Sequence, residues 1–166
     1  MKIRELNQSQ FHNEKKLEFW NQRTDVRDNI TDGLEWIESN LSYFQENQNF
    51  LEDSIGTLEG EVLELGAGHC WLTAYLSTLE SVDQVHAVEQ SERLITEMAP
   101  QTIDYIDGRV DKIDLYLGDF NNLEYFYERE FDIVILDSAF HHAEYPSVLL
   151  AEIRKVLADD GSLILF

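Results

Sequence analysis

Apolar positions along this chain fall into short continuous runs separated by wider stripes, the pattern of strands interleaved with helices. The clearest run is Phe131-Asp132-Ile133-Val134-Ile135-Leu136-Asp137, nearly unbroken in apolar side chains, as expected of a strand covered on both faces. Glu61 to Leu65 and Gln84 to Glu89 have the same character. Asp114 to Phe120, a strand with a loop, and Ser162 to Phe166 bring the predicted strands to five. Between them, Trp71, Leu72, Tyr75, Leu76 and Leu79 recur at helical spacing. Ser91 caps a helix carrying Leu94, Ile95 and Met98 and closed by Pro100, and the stretch from Ile103 to Val110 reads as irregular. A further helix starts at Pro146, with Leu149, Ile153, Val156 and Leu157 on one face and Arg154 and Lys155 near its end. Asp159-Asp160-Gly161 reads as a turn. Strands alternating with helices predict an α/β domain, a mostly parallel sheet with helices on both faces.

The residues before Gly60 have a different texture, polar and studded with aromatic side chains. Gln8 to Arg27 reads as a helix with Phe11, Leu17, Phe19 and Trp20 among acidic and basic residues. A second helix begins at Asp32, whose three-residue spacing to Glu35 suits a capping box. Leu34, Ile37, Leu41 and Phe44 then share one face, and amide-rich Gln45 to Asp53 reads as a turn. The chain therefore divides into a helical extension over residues 1–58 and a sheet domain over residues 59–166. The plain reading of the apolar face is packing on the sheet. The functional one is that the same helices also form a lid over a bound ligand, lined by Phe19, Trp20 and Arg23.

Composition narrows the classes. A chain of 166 residues, 43% hydrophobic, with three Trp, seven Tyr and nine Phe, has enough apolar surface for one real core. Its formal net charge of −21 repels phosphate backbones and anionic lipid, which argues against nucleic acid and membrane surfaces as partners. Cys70 is the only cysteine, so neither an internal disulfide nor a Cys-rich zinc site is available. Met1 to Asn7 lacks an apolar core of signal-peptide length, and no run approaches a membrane span, so the expected location is the cytoplasm.

The candidate chemistry begins at Glu61-Val62-Leu63-Glu64-Leu65-Gly66-Ala67-Gly68-His69-Cys70, a strand running into a glycine turn ahead of a helix. Gly66 and Gly68 permit a tight turn and a close ligand approach, with amides exposed at a helix N-terminus. A dinucleotide fingerprint would place a third Gly or Ala at position 71, where this chain has Trp71. Glu64 would repel a diphosphate and attract a cationic ligand. Glu89 lies 21 positions beyond Gly68, close to the spacing at which such units set a carboxylate on ribose hydroxyls. The structural reading of Glu89 is an ordinary strand-end acid, and His86, inside a strand pattern, reads as a core or face histidine.

Glu64-Leu65-Gly66-Ala67-Gly68 resembles the first motif of class I S-adenosylmethionine-dependent methyltransferases. The block from Asp132 to Phe166 is similar to the small-molecule branch of that family: a strand ending in Asp, a Phe-His-His loop, a helix with Arg and Lys, and an Asp-Gly turn before the next strand. The resemblance implies a Rossmann-like fold and methyl transfer to an oxygen, nitrogen or carbon of a small molecule. It implies that Glu64, Gly66, Ala67 and Gly68 lie against the methionine and ribose portion of S-adenosylmethionine, and that Glu89 and Gln90 take the ribose. By the same resemblance Asp119 and Phe120 meet the adenine, and Asp137 flanks the transferred methyl. His141 or His142 then takes a proton from the acceptor, a role an imidazole can fill at neutral pH. A metal site of Asp137, His141, His142 and Glu144 matches no recognised ligand spacing, and none is expected.

The chain departs from the family pattern twice. Cys70 stands where many members have a third glycine, and the sequence stops in the fifth strand, where the family adds two strands and a helix. An edge strand of Leu, Ile and Phe there predicts either that this chain is a fragment of a longer protein or that a second copy or another chain covers that edge. Two other readings stay open: a non-catalytic S-adenosylmethionine-binding module or partner subunit, and an NAD(P)-dependent oxidoreductase, against which Glu64 and Trp71 weigh.

Overall fold

The computed structural model describes residues 2–6, 33–54 and 57–166. The helix expected over Gln8 to Arg27, its Phe19, Trp20 and Arg23, and the Asp32 cap lie outside these residues. In chain order the elements are β1 (Ile3–Glu5), α1 (Gly33–Ser54), β2 (Gly60–Leu65), α2 (Trp71–Thr78) and β3 (Val82–Glu89). A π-helical turn (Leu94–Met98) leads into α3 (Ala99–Tyr105), followed by β4 (Ile113–Leu117), β5 (Phe131–Leu136), α4 (Pro146–Val156) and β6 (Leu157–Leu165).

The six strands make one sheet in the order β1-β4-β3-β2-β5-β6, and every pairing is parallel. Parallel neighbours need crossovers, which the intervening helices supply, so both faces are covered. One face carries Leu63, Leu65, Val88, Tyr116, Val134 and Leu136 against Leu149, Ile153 and Val156 of α4. The other carries Val62, Val85, Ile133 and Ile135 against Ile37, Phe44 and Leu51 of α1 and Trp71, Leu72, Tyr75 and Leu76 of α2. Ala87, Ile113 and Leu115 complete that face beneath Ile95, Ala99 and Ile103. Alternation along each strand sends successive side chains to opposite layers. Each fully buried Leu, Ile or Val is worth about 1.5–3 kcal/mol.

Five strands were expected and six are present among the described residues. The additional one, β1, is three residues long, too short for its pattern to be legible, and sits on the N-terminal side of the boundary expected near residue 58. It pairs Ile3 with Leu115 and Arg4 with Tyr116, and Gly118 gives it room, since a Cβ there would stand 2.7 Å from the Leu6 Cβ. The turn expected over Gln45 to Asp53 is instead part of the second half of α1. Its buried stripe is Ile37, Phe44 and Leu51, with Asn40 and Asn47 half-buried along the same line. Leu41, expected on that face, is exposed, because amides rather than apolar residues fill the turns between. Pro100 does not end its helix: it sits in the first turn of α3, where a missing N–H costs least, and the helix runs on to Tyr105, taking in the first three residues of the stretch from Ile103 to Val110 expected to be irregular. The turn expected at Asp159-Asp160-Gly161 falls within the bounds of β6, at a break in register where Leu157 faces Phe131 and Ser162 faces Ile133.

Candidate functional site

All six strands point their carboxyl ends the same way, and the candidate residues gather at that end of the central strands, as the topology of an open parallel sheet dictates. β2 and β3 pair Leu65 with Val88, so the glycine turn that follows β2 lies beside Glu89. Gly66 and Gly68 both have positive φ, 76° and 54°, which explains why glycine is required at each. They differ in surroundings. A Cβ on Gly66 would collide with Ala139 at 2.6 Å, while a Cβ on Gly68 would meet nothing within 4 Å. Gly66 is thus packing against the fold, and Gly68 is an open ledge that a ligand can approach. Cys70, at φ 61°, holds a left-handed conformation without being glycine. Its thiol is fully buried, and burial pushes it well above the ordinary cysteine range.

The Glu89 carboxylate is buried and already engaged on both oxygens: Gly68 N–H donates to one at 2.8 Å and Ser91 N–H to the other at 2.7 Å. Burial raises its pKa, and these amides pull it back. Each carboxylate oxygen has a second lone pair, so two more donors can be accepted. Gln90 is half-buried beside it. Ser91 caps the following helical turn, as expected, through Leu94 N–H to its Oγ at 3.4 Å.

Glu64 is buried under the turn, with the Thr73 hydroxyl of α2 donating to its Oε2. Burial, with the nearby Asp137 and Glu89 carboxylates adding, pushes its pKa up to about 8, against the bond from Thr73. Asp137, just past β5, is held on both oxygens by aromatic donors. Tyr43 O–H of α1 donates to Oδ1 at 2.5 Å, and Trp71 Nε1–H of α2 donates to Oδ2 at 2.8 Å. Burial raises the Asp137 pKa, and those donors lower it. Among the described residues no Lys or Arg forms an ion pair with Glu64, Glu89 or Asp137. Three carboxyl groups therefore crowd one turn with no cation of the described residues paired to them.

Two loops complete the rim. Asp119 caps its own loop, accepting the Asn121 N–H at 2.9 Å and the Asn121 side-chain amide at 2.7 Å on Oδ1. The Phe120 side chain is buried in the core, near enough to Gly66 that only its backbone remains for a ligand. Asn121 Oδ1 accepts Glu144 N–H at 3.0 Å, tying this loop to the one after β5. There His141 and His142 sit on a single 3-10 turn with ring centroids 3.7 Å apart, His141 exposed and His142 half-buried. Among the described residues no group of three or more His, Cys, Asp or Glu is arranged to hold a metal ion.

Sequence patterns did not single out Tyr43. It lies one residue before Phe44, off the apolar face of its helix, and only its long-range bond to Asp137 reveals it. Trp71 was noted for its bulk, not for its indole N–H. The contact of α1 with the glycine turn was likewise hidden: Trp36 stacks on His69 at 3.6 Å and 12°, and Phe44 stacks on Trp71 at 4.6 Å.

A family profile described as "Methyltransferase domain" matches residues 63–165. A curated relative, an uncharacterized methyltransferase of Staphylococcus carnosus (strain TM300), is 28% identical over 117 residues, 69% of this chain and 50% of that protein. The DhpI-SAM-HEP complex superposes with a TM-score of 0.62 at 21% identity, covering 90% of this chain and 63% of that one. A SAM-dependent methyltransferase from Aquifex aeolicus gives 0.54 at 19% identity over 74% of this chain and 70% of its own. The chain thus spans about half the length of the curated relative it matches.

Proposed function

Because this chain belongs to the methyltransferase domain family, whose cofactor is S-adenosylmethionine, we propose that it transfers a methyl group from S-adenosylmethionine to an oxygen, nitrogen or carbon of a small molecule. The six-stranded parallel sheet with helices on both faces is the Rossmann-like fold of such proteins. The observation that carries the reading is the carboxylate trio around an open glycine ledge. Glu89 and Asp137, joined by Glu64 once a neighbouring cation favours its ionised form, place negative potential where a cationic sulfonium and ammonium would be stabilised, and where a diphosphate would be repelled.

In this reading the residues fall into roles. The Gly66-Ala67-Gly68 backbone supports the methionine and ribose portion, with Gly68 as the point of closest approach. Glu89 accepts both ribose hydroxyls on its remaining lone pairs, and Gln90 borders them. Asp119, through the Oδ2 left over from its loop bonds, accepts an adenine amino group, and the Phe120 backbone borders the ring. Asp137 sits at the transfer point. When bound, the cofactor supplies a methyl group already activated by a sulfonium. The protein's task is then alignment, and proximity alone is worth about 7–11 kcal/mol at best. A ring nitrogen of His141 or His142 takes the proton that a hydroxyl or amine acceptor must lose. Residues 59–166 form the cofactor domain in this proposal, and α1 is part of its cover. The partners are the small-molecule acceptor and, along the outer edge of β6, a second copy or another chain.

Calorimetric titration of the 166-residue chain with S-adenosylmethionine, S-adenosylhomocysteine and NAD is the direct test. Binding of the first two and not of NAD is expected, with Glu89→Ala weakening it at least tenfold. Full affinity in Glu89→Ala would remove the assigned ribose site. Turnover in a screen of hydroxyl and amine acceptors then separates an enzyme from a binding module.

A further inference from the structure

We propose that Tyr43 is a positioning residue: it fixes the Asp137 carboxylate at the strand ends and thereby clamps helix α1 over the glycine turn when S-adenosylmethionine is bound. This rests on the cofactor reading above. Three contacts from α1 converge on the turn. Trp36 lies flat on His69, Phe44 lies flat on Trp71, and Tyr43 crosses from the helix to the end of β5. The stacks are apolar and weakly directional, whereas the Tyr43 bond is directional and charge-assisted.

A phenol has one hydrogen, and that of Tyr43 goes to Asp137 Oδ1; the Ser138 hydroxyl, 2.9 Å from the Tyr43 oxygen, has Tyr43 and Asp137 as its two acceptors. Trp71 donates to the other carboxylate oxygen, so both Asp137 oxygens have their orientation set from two different helices. Ser138 is itself pinned: its φ is 50°, and its N–H donates to the Phe166 carbonyl at 2.6 Å. The corner formed by Asp137 and Ser138 is thus held by α1, α2 and the end of β6 together. Tyr43 is a donor here and not a base, since burial and the Asp137 bond raise its pKa.

The groups facing Asp137 are Tyr43 from α1, Trp71 from α2, Ser138 beside it and, by charge, Glu64 from β2. Both aromatic donors stabilise its ionised form, so loss of the Tyr43 hydroxyl raises the pH at which Asp137 protonates. The test is Tyr43→Phe, which keeps the ring contacts with Phe44 and Trp71. Calorimetry from pH 5 to 9 on wild type, Tyr43→Phe, Asp137→Asn and the double variant reads the coupling. We expect Tyr43→Phe to weaken S-adenosylmethionine binding about tenfold at pH 7 and to move the acid limb of binding to higher pH. In Asp137→Asn the Tyr43→Phe change should add less than about twofold. Binding by Tyr43→Phe equal to wild type, with an unmoved acid limb, overturns the role of Tyr43 while leaving the cofactor assignment intact.

Failure of folded wild type to bind overturns the cofactor reading instead. The clamp is then read without cofactor, from the Trp71 indole N–H resonance as Asp137 titrates. A midpoint raised by Tyr43→Phe supports the clamp, and an unmoved one overturns it.

Discussion

Glu64 shows how much a single position can carry. Its acidity two residues before Gly66 was readable in the sequence as a preference for a cationic ligand. What sequence could not give is its protonation state, which depends on burial by α2 and on two carboxylates from β3 and the end of β5. With a pKa near 8 it is mostly protonated at pH 7, and a cation placed beside it favours the charged form. S-adenosylmethionine binding at pH 7 should therefore release a proton. Titrations in buffers of different ionisation enthalpy will give different apparent heats, and Glu64→Gln, which still accepts from Thr73, should abolish the difference. Equal heats in wild type would show that Glu64 does not sense the ligand. Gly66 and Gly68 were legible for the same reason as Glu64, since they lie in one local motif, and Glu89 was legible through its spacing of 21 positions from Gly68. Tyr43 was not, because its partner lies 94 positions away.

At the level of elements, the edge strand β1 is fastened by a polar chain across the sheet. Arg4 donates to the Tyr116 oxygen at 2.9 Å and pairs with Asp114 at 3.2 Å. The Tyr116 hydrogen is then directed at His86 Nδ1, 3.0 Å away, which leaves His86 Nε2–H to donate to Glu61 at 2.8 Å. His86 is a buried core histidine, as its strand position suggested, and its role is to link β1, β4, β3 and β2. Burial lowers its pKa, against the opposing pull of Glu61 and Asp114. The folded state therefore prefers the neutral ring. Its contribution to stability is present above the unfolded value of about 6.5 and is lost as pH falls through the lower folded one. Protonation would also give Nδ1 a hydrogen and displace the Tyr116 donor. Thermal midpoints should decline as pH drops below about 6.5, with the Leu6 amide, bonded to the Leu117 carbonyl, exchanging faster in parallel. His86→Gln should flatten the decline over that interval; an unchanged slope would assign it to other groups.

For the whole molecule, a net charge of −21 works against compactness through self-repulsion. Raising salt from about 0.05 to 0.5 M shortens the screening length from well over 10 Å to about 4 Å, so the thermal midpoint should rise with NaCl. A flat response would mean that the excess carboxylates are too widely spaced and too well solvated for their repulsion to weigh on the folded state. Sedimentation over the same salt series also tests the outer edge of β6, because screening removes the repulsion between two copies that would pair there. Among the described residues no helix is long and apolar enough to cross a membrane.

The sequence by itself determined the α/β class, the central strands and their order along the chain, and the glycine turn with its flanking acids. Each of these is written in a local pattern: apolar runs, helical spacing, or residues within one motif. Tertiary structure decided the rest. A three-residue strand, β1, gains its stability only from β4 beside it, and α1 runs through amides that alone suggest a turn because its buried stripe finds the sheet. The Tyr43–Asp137–Trp71 clamp joins residues from two helices and a strand end, and the raised pKa of Glu64 arises first from burial in the folded chain and then from the Asp137 and Glu89 charges that parallel pairing brings beside it. Contacts between residues far apart in sequence leave no periodic signal, so the geometry of the fold had to supply them.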